Sequence, residues 1–112
     1  MTEIILHNYV ESLFAEKIRL ILGHKKLDWK WVVIPMMPPR PELTALTGGN
    51  RRTPIMQIGA DVYCDSALMA ATLERIAPQH TLYPDGHHAM IDTVAQWGDS
   101  NLFWAAIAYL YQ

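Results

Sequence analysis

A serine at the start of a helical pattern is the first residue of this sequence with a possible chemical role. Ser12 precedes an amphipathic pattern that ends near Gly23, with apolar residues four positions apart at Phe14, Ile18 and Leu22. A hydroxyl at a helix N-terminus can donate to an anion, and the exposed amides and helix dipole add positive potential there. A thiolate held at that position forms more easily because its charged state is stabilised. Ser12 is therefore a candidate catalytic residue, and the alternative is that it only caps the helix.

A threonine–proline pair at the start of a predicted strand is the second candidate. Pro54 cannot donate a hydrogen bond to a neighbouring strand, so it leaves nearby backbone groups free for a ligand. The bond between Thr53 and Pro54 is also of the one type for which the cis form costs little. Arg51 and Arg52 come directly before this pair and can bind a carboxylate through charge-assisted hydrogen bonds. The alternatives are an ordinary trans proline that opens an edge strand, and a solvated basic pair.

An aspartate–serine pair is the third candidate. Asp65 and Ser66 follow a predicted strand and open a helical pattern that stops at Pro78. At that place they can present a carboxylate, a hydroxyl and free backbone amides to one ligand. The alternative is that Asp65 only caps the helix, and both roles can coexist.

These candidates are positioned by a predicted βαβαββα order. The predicted elements are strands at 3–7, 29–34, 55–58 and 61–63 and helices at 12–23, 42–46 and 65–77. A helical crossover makes the first two strands parallel, and Gly59-Ala60 makes a hairpin of the last two. We therefore expect an α/β fold with a mixed four-stranded sheet. Arg19 is interpreted as structural, because its helix position points it towards a neighbouring element.

The last part of the chain is predicted to be a linker, residues 79–87, and one helix, residues 88–112. The helix has apolar residues on more than one side, among them Trp97, Phe103 and Trp104. A helix of this kind needs partners on several faces, and the chain supplies few. We expect that the sequence is truncated or that it pairs with another chain.

Composition and motifs exclude several classes of protein. The chain has 112 residues, 51% of them hydrophobic and 18% charged, which fits one globular domain and excludes a disordered segment. Its net charge of −2 gives no general attraction to nucleic acid or acidic membranes. The single cysteine, Cys64, excludes an internal disulfide, and His87-His88 lacks a third ligand at metal spacing, so we expect no metal. The sequence has no signal peptide and no membrane-spanning stretch, which favours a cytoplasmic protein.

Three phrases in order, SLFAEKIRL, RRTPIMQIG and YCDSAL, resemble the cytosolic glutathione S-transferases over residues 3–77. The resemblance implies a thioredoxin-like glutathione-binding domain at 1–78 and a linker at 79–87. Residues 88–112 would be the first helix of an otherwise missing all-helical domain. It also implies a homodimer, through the helices that start near Ser66 and His88.

The resemblance also assigns roles to the candidates. Ser12 would contact the glutathione sulfur, although Leu13 stands where the family's Ser or Cys is followed by Pro. Pro54 would be cis, and the backbone of Thr53 would pair with the cysteinyl part of glutathione. Tyr9 is a second candidate for the catalytic role.

The two ends of glutathione have their own expected partners. Asp65 and Ser66 would bind the γ-glutamyl end, where the hydroxyl and amides meet its carboxylate and the acid lies near its amine. Arg52 stands where the family commonly has Lys or Arg, and would meet the glycyl carboxylate.

Two functions from different classes follow. The first is a glutathione S-transferase-like protein that binds glutathione as co-substrate and stabilises its thiolate for attack on an electrophile. We expect this short chain to be weakly active or inactive, because the helices that line the family's electrophile pocket are missing. The alternative is a non-enzymatic interaction module that binds a partner through the apolar C-terminal helix.

Overall fold

Four strands and three helices make up the first part of the chain. The computed structural model describes residues 3–50 and 52–111. The described residues fall into two units that divide between His80 and Thr81. The elements of the first unit are β1 (Ile4–Asn8), α1 (Leu13–His24), β2 (Lys30–Val33), α2 (Pro41–Thr47), β3 (Ile55–Ile58), β4 (Asp61–Tyr63) and α3 (Ser66–Ile76). The predicted βαβαββα order is confirmed.

The four strands form one mixed sheet in the order β2-β1-β3-β4. β1 and β2 are parallel, because α1 crosses over between them. β3 is antiparallel to β1, with Leu6 opposite Met56, and antiparallel to β4, with Gln57 opposite Val62. Both the parallel pair and the hairpin agree with the prediction.

The core lies on both faces of this sheet. Ile55 and Met56 are fully buried neighbours on β3, and successive side chains of a strand point to opposite faces. Met56 belongs to a cluster in which α1 and α3 cover one face, with Ile4, Leu6, Ile18, Leu22, Met69 and Leu73. Ile55 belongs to a second cluster, with Ile34 and with Leu43 of α2. Burial of each such side chain contributes about 1.5–3 kcal/mol, which holds the helix starts and strand ends in place.

The helix predicted for residues 88–112 is bent in the structure. It consists of α4 (His88–Gly98) and α5 (Asn101–Leu110), preceded by a single turn at Pro84–Gly86. Ser100 interrupts it, with φ −124° and ψ −94°, outside the helical range. None of the described residues of this second unit is buried.

No helix in the described ranges is long and apolar enough to cross a membrane.

Candidate functional site

Ser12 caps α1, four residues after the last residue of β1. Its Oγ accepts a hydrogen bond from the backbone N–H of Ala15 at 3.3 Å, and its own N–H donates to the carbonyl oxygen of Tyr9 at 3.1 Å. The residue is only 6% exposed. The capping role considered for Ser12 is therefore present, and it places the hydroxyl beside the free amides of the first helical turn.

Thr53, which lies just before β3, contacts Ser12 through its side chain. Its Oγ1 lies 3.4 Å from Ser12 Oγ, and either hydroxyl can be the donor. The bond from Thr53 to Pro54 is cis, as the resemblance implies, and Pro54 is buried at the start of β3. Two of the predicted site positions, 41 residues apart in sequence, are thus brought together.

Asp65 and Ser66 begin α3. The Asp65 carboxylate is exposed and caps the helix, with Oδ2 accepting from the N–H of Leu68 at 3.4 Å. Ser66 is half-buried, and its Oγ accepts a hydrogen bond from Lys17 Nζ at 3.3 Å. The N–H groups of Ser66 and Ala67 lie in the first turn of α3, where a helix offers no acceptor. This end of α3 can therefore bind an anion beside a carboxylate.

Lys17 connects α1, the helix that Ser12 caps, to Ser66 at the start of α3. The sequence did not predict this contact. Lys17 lies five residues after Ser12 on α1, about 7.5 Å further along the helix axis. Its contact with Ser66 spans 49 sequence positions. No local pattern marks such a pair, because a lysine in the middle of an amphipathic helix is usually a solvated residue.

Arg52 is exposed, and only its backbone takes part in the loop. Its N–H donates to Asn50 Oδ1 at 2.8 Å, which shapes the turn before Thr53. In the described part of the chain, no hydrogen bond or ion pair joins the Arg52 side chain to the other candidates. Arg51 lies outside the described residues.

The loop from β1 to Ser12 is held by Arg19. Its guanidinium donates to Asn8 Oδ1, to the carbonyl oxygen of Val10 at 3.1 Å and to Glu16 Oε2 at 3.0 Å. It also lies 4.9 Å above the ring of Trp31. The structure thus agrees with the structural interpretation of Arg19 and shows what the residue fixes, the backbone that leads to Ser12.

Tyr9, the second candidate for the catalytic role, is half-buried beside the second core cluster. Its ring packs against the cluster of Ile34, Leu43 and Ile55, and the guanidinium of Arg40 lies 5.7 Å from the ring centroid. The Tyr9 ring therefore packs against the cluster that includes Leu43 of α2.

The groove beside α2, the possible metal ligands and Cys64 add no residue to this candidate site. A groove of about 670 Å³ lies along the segment between Pro38 and Asn50, and none of the predicted site residues lines it. Among residues 3–50 and 52–111, no three His, Cys, Asp or Glu side chains are grouped as metal ligands. Cys64 is half-buried against the cluster under α2.

Comparison with known proteins identifies the family. A profile described as "Glutathione S-transferase, N-terminal domain" matches residues 6–81. The chain belongs to the glutathione S-transferase family. No curated protein sequence matches it.

Solved structures of glutathione transferases share the fold. A GST-like protein from Pseudomonas syringae is 52% identical, with a TM-score of 0.93, and the match covers 100% of this chain and 41% of that one. A glutathione transferase homologue from Drosophila mojavensis with bound glutathione is 19% identical, with a TM-score of 0.78 over 89% of this chain and 48% of that one. Glutathione transferase Omega 1C from Trametes versicolor is 14% identical, with a TM-score of 0.84 over 97% of this chain and 52% of that one.

The family resemblance and the thioredoxin-like fold are both confirmed by these matches. This chain spans 41% to 52% of the length of the three structures.

Proposed function

We propose that this chain binds glutathione and stabilises its thiolate for attack on an electrophile. The proposal rests on one observation. In a chain of the glutathione S-transferase family, the hydroxyl of Ser12 caps α1 and lies 3.4 Å from the hydroxyl of Thr53, next to a cis proline. A homologue from this family is solved with bound glutathione, which supports the same ligand here.

Each part of glutathione has a proposed partner. The sulfur lies at Ser12, whose hydroxyl donates to the thiolate in the positive potential of the α1 N-terminus. The cysteinyl backbone pairs with Thr53, and the γ-glutamyl group binds at Asp65 and Ser66. Arg52, exposed before Thr53, meets the glycyl carboxylate.

The reaction is a thiolate addition or substitution. The sulfur forms a bond to an electrophilic carbon, and either a leaving group departs with its electron pair or the displaced π electrons take up a proton. A polypeptide of these 112 residues would catalyse it weakly or not at all, since it spans less than half of the 52% identical relative. By the same resemblance we propose a homodimer that resides in the cytoplasm.

Calorimetric titration of the chain with glutathione tests the binding proposal. We expect saturable binding that weakens in Asp65→Ala and Ser66→Ala, because both remove partners of the γ-glutamyl group. Lys30→Ala, on the exposed strand β2, is the control and leaves the affinity unchanged. A folded chain that binds no glutathione would contradict the proposal.

A second candidate function is an interaction module, favoured by the exposed apolar side chains of the second unit. Trp97 and Trp104 are 52% and 68% exposed there. Exposed aromatic side chains of this kind are typical of a contact surface. A chain that binds no glutathione but self-associates in light scattering would favour this function over the first.

A further inference from the structure

The hydroxyl of Thr53 is fixed beside the Ser12 hydroxyl by the buried start of β3. Pro54 and Ile55, the two residues that follow Thr53, are both buried. Thr53 itself is half-buried, and its Oγ1 lies 3.4 Å from Ser12 Oγ. Ser12 is fixed from its own side, since its backbone N–H donates to the carbonyl oxygen of Tyr9. The two hydroxyls are therefore positioned by separate parts of the fold.

The contact between the two hydroxyls can run in either direction, and the direction decides what Ser12 can donate to. A hydroxyl has one hydrogen and two lone pairs. Ser12 Oγ accepts from the N–H of Ala15 at 3.3 Å, which leaves one lone pair and the hydrogen. If Ser12 donates to Thr53, its hydrogen is used. If Thr53 donates to Ser12, both lone pairs of Ser12 are filled and its hydrogen is left for a ligand.

A thiolate beside Ser12 selects the second direction. A thiolate sulfur has no hydrogen and only accepts, so Ser12 can stabilise it only when the Ser12 hydrogen points to the sulfur. Donation from Thr53 then completes a chain of hydrogen bonds that runs from Thr53 to Ser12 and from Ser12 to the sulfur. In such a chain each hydrogen bond polarises the next, which strengthens the last one. Ser12 is only 6% exposed, so little water competes for its lone pairs.

We propose that Thr53 is a positioning residue, whose hydroxyl donates to Ser12 Oγ and so directs the Ser12 hydrogen to the sulfur of bound glutathione. This inference rests on the proposed function and deepens it. The backbone of Thr53 keeps the role proposed for it, and the side chain adds a second one. Valine at this position would have the same branched shape but no hydrogen to donate.

The test compares variants that remove the Thr53 hydroxyl, keep it, or remove a hydroxyl elsewhere. Thr53→Val keeps the branched shape of the side chain but has no donor, and Thr53→Ser keeps the donor. Thr93→Val is the matched control, because the exposed Thr93 hydroxyl donates to the carbonyl oxygen of Ala89 within α4. Each variant is made in the full chain, and Thr53→Val is also combined with Ser12→Ala.

The first measurement is the ultraviolet thiolate absorbance of bound glutathione as a function of pH. Thr53→Val should raise the pKa of the bound thiol, with an acid dissociation constant about two- to fivefold lower, because a weaker hydrogen bond holds the thiolate. Thr53→Ser retains the donor and should titrate close to the unaltered chain, and Thr93→Val should do the same. In the Ser12→Ala background, Thr53→Val should have no further effect, because Thr53 acts on the sulfur only through Ser12.

The second measurement separates positioning from a structural role. S-methylglutathione has the same peptide as glutathione but no ionisable thiol, so calorimetric titration with it measures the binding of the peptide alone. Thr53→Val should change this affinity by less than about twofold, since no charge on the sulfur depends on the hydroxyl.

Three results would overturn the inference. An unchanged thiol titration in Thr53→Val would show that Ser12 acts without Thr53. A further rise of the pKa when Thr53→Val is added to Ser12→Ala would mean that Thr53 acts on the sulfur directly. A loss of S-methylglutathione affinity as large as the change in thiol ionisation would make Thr53 a structural residue. In all three cases glutathione still binds and the proposed function stands, whereas an unaltered chain that binds no glutathione would remove both.

Discussion

Two roles of the Ser12 hydroxyl are compatible at the scale of single residues. A hydroxyl has two acceptor lone pairs and one hydrogen. Ser12 Oγ uses a lone pair to accept from the N–H of Ala15, so its hydrogen can still go to Thr53 Oγ1 or to a ligand sulfur in its place. Helix capping and thiolate stabilisation therefore draw on different parts of the same group.

Ser12→Ala should separate these two roles by two measurements. Loss of the cap should lower the free energy of unfolding by about 1 kcal/mol in urea denaturation. Loss of the donor should raise the pKa of the thiol of bound glutathione, because the thiolate loses the hydrogen bond that favours it, and ultraviolet thiolate absorbance would then appear at higher pH. Ser12→Thr keeps the hydroxyl and is expected to preserve both properties. A stability loss without a shift in the titration would leave Ser12 as a cap only.

At the scale of elements, local pattern predicted most of this fold. The strands and helices of residues 3–77 follow from alternation and four-residue spacing, and the crossover of α1 fixed the parallel pairing of β1 and β2. The interruption at Ser100 was not predicted, because the apolar pattern of the last helix continues on both sides of it.

The contacts between elements were harder to predict than the elements. Only the family resemblance predicts that Ser12 and Thr53 belong to one site. The contact of Lys17 with Ser66 spans 49 positions, and so does that of Lys25 with Glu74. From sequence alone, a lysine near the end of a helix is expected to be exposed, because lysine is rarely buried. The burial of its charge is therefore visible only in the folded chain.

Lys25 ties the C-terminal ends of α1 and α3 together. Its side chain is fully buried, with Nζ 2.7 Å from Glu74 Oε1 and 2.7 Å from the carbonyl oxygen of Ala77. Lys25→Met should lower the free energy of unfolding by about 2–4 kcal/mol, since the Glu74 carboxylate, 18% exposed, and the Ala77 carbonyl both lose this donor. Urea denaturation measures the effect.

The matched control for that experiment is another lysine in an ion pair. Lys30 is 71% exposed and lies 3.2 Å from Glu3, which is 52% exposed. Lys30→Met should change stability by less than about 0.5 kcal/mol, because solvent screens an exposed pair. Equal effects of the two substitutions would contradict the importance assigned to the buried charge.

The two units of the whole molecule differ in what they bury. All buried side chains among the described residues belong to residues 4–77. The unit of α4 and α5 instead leaves large apolar side chains exposed, among them Trp104, Tyr109 and Leu110. Exposed apolar surface of this extent favours association, which fits both the homodimer and the interaction module that we propose.

We expect the chain to self-associate through the second unit. Its mass by light scattering should rise above 12.8 kDa with concentration, and Leu110→Lys should bring it back towards that value, because a charge placed in an apolar contact must be desolvated. Leu20→Lys on α1 is the matched control, since Leu20 and Leu110 are both 65% exposed. Leu20→Lys should leave the mass unchanged. Two outcomes would show that the apolar surface of α5 is not a contact surface: loss of association in Leu20→Lys as complete as in Leu110→Lys, or an unaltered chain that stays monomeric. The proposal of glutathione binding would then stand without an interaction role.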